Sequence, residues 1–362
     1  MNHGTNLWLT RLYATLLLVM IQAPVSAAAD GYAVFKSTDQ GRSWARSDAG
    51  LPGTARINAF ASLAETVFVG TDSGIFTSTN EARSWQSASD VAMTTGRVIC
   101  LAALGRSVFA GTDGHGMLRS SDRGKTWGSN SSFSFRKVRC LLAHKDVIYA
   151  GTDEAGVFGS DQSGQTWTPL RTGFPTQAQV FALAILEGRL FAGLYSRGLY
   201  VWIERDQRWS KVDPVSPLAL ATAGGTLVVG HNPGGLYWSE DLGASWAKGI
   251  AAPVDAFTAT FPDDRGALSN DAPIWELAGR DGLLLVGASA GIYYSDDRGR
   301  TWTRARAGLP SPGPGIAFLL EQSFILAGTQ MGAAKVVQTS DSQPSRTIPI
   351  EEEQREASSG KH

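Results

Sequence analysis

Between positions 57 and 89 the chain alternates four short apolar runs with clusters of turn formers: INAFAS (57–62), TVFVGT (66–71), GIFTS (74–78) and SWQSAS (84–89). Each run is rich in β-branched or aromatic residues and is bounded by Gly, Asp, Asn or Ser. This predicts four β-strands, A to D, joined by tight turns. The second run returns as VFAGT, IYAGT, LFAGL, LVVGH, LLVGA and ILAGT, ending near positions 112, 152, 194, 231, 288 and 329. A repeat of about 40–45 residues is the mark of propeller blades, and seven B strands predict seven of them.

The ends of the repeat region predict how the ring shuts. GYAVFKS (31–37) and RSWARS (42–47) read as C and D strands with no A or B before them, whereas GIAFLLEQ (315–322) and SFILAGT (323–329) read as A and B strands. One blade is therefore expected to draw strands from both termini, which leaves no open sheet edge. GAAKVV (332–337) is a surplus C-like strand, and the polar segment 338–362 reads as a disordered tail. At the other end, Arg11 precedes the apolar run LYATLLLVMIQAPV and the small residues SAAAD, the layout of an export signal with cleavage after Ala27 or Ala29. Gln22 and Pro24 interrupt that run, which falls short of the roughly 20 apolar residues of a comfortable membrane span. The expected organisation is a signal peptide over 1–27, an all-β seven-bladed propeller over 28–337 and a tail over 338–362. Localisation follows as periplasmic or extracellular.

A second periodic feature is polar. KSTDQGRSW (36–44), RSSDRGKTW (119–127), YWSEDLGASW (237–246) and YSDDRGRTW (294–302) share the pattern Ser-x-Asp-x-Gly-x-(Ser/Thr)-Trp. Weaker copies end at Trp85, Trp167 and Trp209, so that seven tryptophans stand 41, 42, 40, 42, 37 and 56 residues apart. A catalytic constellation is normally made once, and a turn made seven times is scaffold. In a C-to-D hairpin the Asp can accept bonds from backbone N–H groups, Gly supplies a left-handed backbone, and Ser or Thr ties hydroxyls to the main chain. The Trp buries its ring and can bond its indole N–H to a carbonyl. Asp39, Asp122, Asp241 and Asp297, with Trp44, Trp127, Trp246 and Trp302, are thus structural residues.

These motifs resemble the Asp-box, or BNR repeat, of β-propellers, and the resemblance covers about residues 31–337. Asp-box propellers include sialidases, xyloglucan-cleaving glycosidases, sortilin-type receptors and the photosystem II stability/assembly factor family. The last is similar in size and plan, and implies an exported, non-enzymatic propeller that assists assembly of other proteins. The sialidase pattern is a poorer match: TARINAF has Asn58 where the Arg-Ile-Pro signature would place proline, and sialidases are typically six-bladed.

Charge and chemistry narrow the reading further. A net charge of -1 gives no electrostatic case for nucleic acid. The five histidines form no metal-ligand pair, and no phosphate-binding loop or nucleophile elbow appears, so neither cofactor nor metal is expected. Cys100 and Cys140 occupy equivalent places in consecutive repeats; they read as small buried hydrophobes, with a disulfide as the alternative. The enzyme alternative is a polysaccharide-active glycoside hydrolase or lyase, for which two suitably spaced carboxylates would serve on physical grounds, and glycan binding without turnover is a third reading.

The face opposite the Asp-boxes carries the B-to-C turns and D-to-A connections around the channel mouth, where propellers commonly bind partners. Asp72, Asp113 and Asp153 recur there and read as turn chemistry. Tyr195, Arg197 and His231 break the pattern, as does His115 in GTDGHG, and Tyr and Arg are favoured interface anchors. Eleven residues before each B-strand glycine stand Ala59, Cys100, Cys140, Ala182, Ala219, Glu276 and Ala317, so that one repeat sets a carboxylate, beside Trp275, where six set a small neutral residue. Glu276 is either paired with a cation or faces the channel to meet a ligand. Arg139, on another A strand, serves either an acidic ligand or a buried pair, with the structural role favoured. The long D-to-A connection 253–273, with Asp263, Asp264 and Arg265, leads into Trp275 and is the favoured regional binding element. A protein partner is expected on this face, with polysaccharide as the alternative.

Overall fold

The computed structural model describes residues 31–88, 97–161, 164–213, 217–231, 235–248, 274–288, 291–309 and 315–331. The expected signal segment, the surplus strand 332–337 and the tail lie outside them. The described chain forms seven four-stranded antiparallel blades, with strand order A-B-C-D from the centre outward. The A strands are Ile57–Leu63, Val98–Leu104, Val138–His144, Val180–Leu186, Pro217–Ala223, Ile274–Arg280 and Gly315–Leu320, for blades 1 to 7. Each packs on the A strands of the two flanking blades, and blade 7 returns to blade 1. Blade 7 takes its A and B strands (Gly315–Leu320, Ile325–Met331) from late in the chain and its C and D strands (Gly31–Ser37, Ala45–Arg46) from early in it. The B and C strands of that blade pair from Gly31↔Met331 to Ser37↔Ile325, so backbone hydrogen bonds close the ring. No helix among the described residues is long and apolar enough to cross a membrane.

The core lies between blades. Phe68 and Ile75 of blade 1, for example, share a cluster with Val108, Ala110, Leu118 and Trp127 of blade 2. What lets the sheets come this close is the recurrent B-strand glycine. A Cβ on Gly70 would stand 2.6 Å from Val98 of the next blade, one on Gly111 2.8 Å from Val138, and one on Gly151 2.8 Å from Val180. None of these glycines has a left-handed backbone, so they are required for space and not for conformation.

The Asp-box hairpins repeat one hydrogen-bond network. Asp39 Oδ1 accepts from the Ser43 N–H (2.8 Å) and the Ser37 hydroxyl (2.8 Å), and Oδ2 accepts from the Ser43 hydroxyl (2.5 Å). Gly41, at φ +87°, donates its N–H to Ser37 Oγ, and its carbonyl accepts from the Trp44 indole at 2.9 Å. Asp122, Asp241 and Asp297 accept the same three kinds of bond from their own Ser and Thr neighbours. In blade 1 Asn80 fills the Asp position and keeps the pattern, its amide donating where the carboxylate would accept. The indoles vary more. Trp85 and Trp209 donate across the blade boundary, to the carbonyls of Ser47 and Leu170, and the buried Trp246 Nε1 has no partner among the described residues. Blade 4 lacks the box: one turn of 3-10 helix, Glu204–Asp206, makes the connection, and its D strand extends over Arg208–Asp213.

Cys100 and Cys140 are both free thiols. Each donates weakly to a carbonyl of the following blade, Val138 at 3.5 Å and Val180 at 3.7 Å, and burial pushes the Cys140 thiol up to about 12.

Gly111→Ala, which sets a methyl group 2.4 Å from Cys100 Sγ and 2.8 Å from Val138, should cost on the order of 1–3 kcal/mol in denaturant unfolding. Gly128→Ala, with nothing within 4 Å, should be close to neutral, and equal costs would refute the packing account. For the hairpins, Asp297→Ala should cost on the order of 1–2 kcal/mol and Asp297→Asn clearly less, since Asn80 shows the amide fits. Hydrogen bonds from Ser43, Thr126 and Ser245, respectively, hold Asp39, Asp122 and Asp241 down to about 2 from an ordinary value of 3.8. Their contribution is therefore complete above pH 4 and fades as pH falls toward 2, a window that acid titration by circular dichroism would read.

Candidate functional site

In every blade the A-B pairing slips by one residue near the start of the A strand, so that Asn58, Ile99, Arg139, Phe181, Leu218, Trp275 and Ile316 are bulged. A bulge re-aims a side chain, and here the seven lie at the end of the ring that carries the B-to-C turns. The residues that follow them, Ala59 to Ala317, pair with the B-strand glycines. Five of the bulged residues (all but Trp275 and Ile316), the row that follows them and the next residues inward wall a central cavity of about 210 Å³, to which all seven A strands contribute.

Blades 1 to 3 cover their side of the mouth with ion pairs. Asp72 meets Arg97 at 3.2 Å and Asp113 meets Lys137 at 2.9 Å, each joining one blade to the next. The Asn58 amide donates to Asp72 at 2.7 Å and to the Val98 carbonyl at 2.8 Å. The Lys137 hydrogen bond holds the Asp113 carboxyl below its ordinary value. The turns themselves are tied by threonine, whose hydroxyls at 71, 112 and 152 bond the carbonyls of Gly74, Gly116 and Gly156. The aspartates read from sequence as turn chemistry thus serve chiefly as links to cations: Asp153 accepts from Arg139 Nε, within its own blade.

Blades 4 to 6 present aromatic groups instead. The Arg139 guanidinium lies 4.2 Å over the Phe181 ring, which stacks on Tyr195 at 5.0 Å and 25°. Tyr195 (42 % exposed) and Trp275 (49 %) are the exposed large hydrophobic residues among those described, and both sit on this face. His231 ends the B strand of blade 5 and meets Tyr237 edge-on at 5.8 Å. His115 and Arg197 are exposed in the turns of blades 2 and 4, where their backbone N–H groups bond Thr112 Oγ1 and the Leu194 carbonyl. The structure therefore brings Arg139 and Glu276 to one cavity and Tyr195 and Trp275 to one face, while His115, Arg197 and His231 stay on separate turns. Asp263, Asp264 and Arg265 lie outside the described residues. Phe181, the link between Arg139 and Tyr195, was not singled out from sequence. The signal that could have found it is its bulge position, shared with Arg139 and Trp275.

Glu276 lines the cavity and makes no hydrogen bond or ion pair among the described residues. The same cavity is lined by Leu277, the alanines and cysteines of the equivalent row, and an Arg139 already engaged by Asp153. Burial pushes its carboxyl up to about 8 from an ordinary 4.5. No group of three or more His, Cys, Asp or Glu side chains among the described residues could hold a metal ion.

Comparison with known proteins places this geometry in a family. The model of the DUF6242 beta propeller domain matches residues 67–269, more than half of the chain, and the BNR/Asp-box repeat matches 293–304. The chain belongs to the DUF6242 β-propeller family. No curated protein matches it. Among solved structures this DUF6242 propeller is similar to the extracellular domain of BT4673 from B. thetaiotaomicron (TM-score 0.62, 16% identity, 78% of this chain and 38% of that one). It thus spans well under half of that longer chain. It is also similar to YCF48 from Cyanidioschyzon merolae (TM-score 0.58, 14% identity, 78% and 95%) and to the GH74 xyloglucanase of Xanthomonas campestris (TM-score 0.60, 17% identity, 83% and 56%). At these identities the likeness is one of fold.

The isolated carboxyl of the DUF6242 propeller has a measurable consequence. The unfolded chain releases the Glu276 proton near 4.5, whereas the folded chain keeps it to about 8, so stability falls as pH rises through that window. Glu276→Gln should therefore raise the melting temperature at pH 9 by roughly 2–6 °C and change it little at pH 4, read by calorimetry. An equal effect at both pH values would show that the carboxyl is not isolated.

Proposed function

We propose that this propeller is exported and binds a protein partner through the face that carries the B-to-C turns, serving assembly, stability or scaffolding in the periplasm or outside the cell. The observation that carries the reading is the placement of Tyr195 and Trp275, exposed on that face across the arc of blades 4 to 6. Exposed aromatic anchors around a depression are the usual centre of a protein interface. The other arc is occupied by its own ion pairs, which makes it a polar rim. YCF48, which shares the fold, has also been solved bound to a D1 peptide, and that supports a peptide-binding use of the fold here. Export rests on Arg11, the apolar run after it and the small residues up to Ala29.

Crosslinking in native cells, with capture of a tagged full-length protein and mass spectrometry, tests the proposal. A reproducible protein partner is expected, lost at least tenfold when Tyr195→Ala and Trp275→Ala are combined, with the melting temperature unchanged. N-terminal sequencing of the captured protein should begin at Ala28 or Asp30. Capture that survives both substitutions would move the interface elsewhere. An empty capture, with binding to xyloglucan or another polysaccharide lost in the same double variant, would replace the protein partner by a glycan.

A further inference from the structure

The cavity at the centre of the proposed binding face has a definite chemical character. At about 210 Å³ it is smaller than the roughly 300–1,000 Å³ of pockets that enclose whole small-molecule ligands, and it has room for a single long side chain. Among the described residues three polar side chains line it: Asn58, Arg139 and Glu276. Asn58 spends its amide on Asp72 and the Val98 carbonyl, and Arg139 is held by Asp153 and by the Phe181 ring. Glu276 alone has no partner among the described residues. Six of seven blades show that the scaffold asks only for Ala or Cys at this place, so the carboxyl answers no need of the fold. A carboxyl whose ionised form is penalised by burial costs stability when it loses its proton, and an entering cation would offset that cost.

We propose that the channel is a socket for one basic side chain, lysine or arginine, of a polypeptide laid across blades 4 to 6, with Glu276 as its counter-ion. The inference rests on the reading of this face as a protein-binding surface and names what the surface selects. Trp275, adjacent in sequence and 49 % exposed, and Tyr195 offer aromatic faces that attract a cation on its way in. The preference for a cation over an acid follows from Arg139: its charge is already matched by Asp153, so among the described residues the one charge left unmatched in the cavity is that of Glu276 once it ionises. Entry is linked to a proton. Glu276 holds its proton to about 8 in the empty channel and must release it to pair. Among the described residues the other titratable groups on the wall are Cys100, Cys140 and the engaged Arg139. The flanking strands of blades 5 and 7 contribute Leu218, Ala219, Leu220, Ala317 and Phe318, none of which titrates. Affinity for a cation should therefore rise about tenfold per pH unit between pH 6 and 8.

The test is a titration of the full chain with acetyl-Ala-Lys-Ala-amide and its uncharged analogue, acetyl-Ala-norleucine-Ala-amide, followed through the Trp275 indole N–H by NMR. The lysine peptide should bind at least tenfold more tightly than the norleucine peptide at pH 8, and the preference should shrink toward pH 6. Glu276→Gln, which is expected to fold at least as stably, should abolish both the preference and its pH dependence. Trp275→Ala, read through the Tyr195 ring resonances, should weaken binding several-fold and keep the pH dependence. Equal binding of the two peptides, or a lysine preference that survives Glu276→Gln, would overturn the socket. If a cellular partner is captured equally well by the wild type and Glu276→Gln, the protein-binding reading stands and the socket falls. If lysine selectivity appears but no partner is captured, the socket stands and that reading falls.

Discussion

The structure depends on a contact too small to notice in any one blade: a B-strand glycine against the first residue of the next A strand. In five of the seven places that residue is valine or isoleucine, as in Gly70 against Val98 and Gly328 against Ile57; in the other two it is Pro217 or Gly315. A methyl group on these glycines would approach its neighbour to 2.1–2.9 Å, well inside contact distance. Blades can therefore approach until the large side chains of one sheet interlock with those of the next. The last contact, Gly328 on Ile57, joins the late part of the chain to the early part, and it works together with the B-to-C pairing inside blade 7. Packing and hydrogen bonding thus close the same ring at the same seam, which removes the free edges an open array of sheets would expose.

Everything at the centre inherits its size from that contact. Tightly drawn A strands leave a narrow channel, and side chains on the inner row must be small unless they serve some other purpose. This is why alanine and cysteine recur there and why Glu276 stands out in physical terms as well as in pattern. The bulge at the head of each A strand then frees one residue per blade from the inner rows. Seven copies of one backbone irregularity give a ring of seven side-chain positions, and the chain has used them unequally: Asn58 and Arg139 are bound into polar networks, and Phe181 and Trp275 provide aromatic surface. A symmetric scaffold thereby acquires a face with a charged half and an aromatic half.

Local features were the legible ones. The strands, their order and the Asp-box hairpins each depend on residues within a few positions of one another, and the repeat states each rule several times. Two departures show where local reading stops. Asp72, Asp113 and Asp153 sit in turns and look like turn residues, yet threonine ties those turns and the carboxylates reach for cations, two of them across a blade boundary. Trp246 carries the full Asp-box pattern, yet its indole N–H lacks the carbonyl partner that Trp44, Trp127 and Trp302 find.

By itself the sequence determined the class of fold, the number of blades, the hairpin chemistry and the use of both termini in blade 7, because strand periodicity and turn geometry are properties of neighbours along the chain. It also marked Glu276 as the odd member of its row while leaving its state open between an ion pair and a solvent-facing carboxyl. Tertiary structure alone set Glu276 on the cavity wall without an ion-pair partner among the described residues, and brought together the Arg139–Phe181–Tyr195 column and the ion pairs between blades. The reason is geometric: these side chains meet across separate sheets, at distances set by how closely glycine lets the blades approach, and no spacing within one repeat encodes that approach.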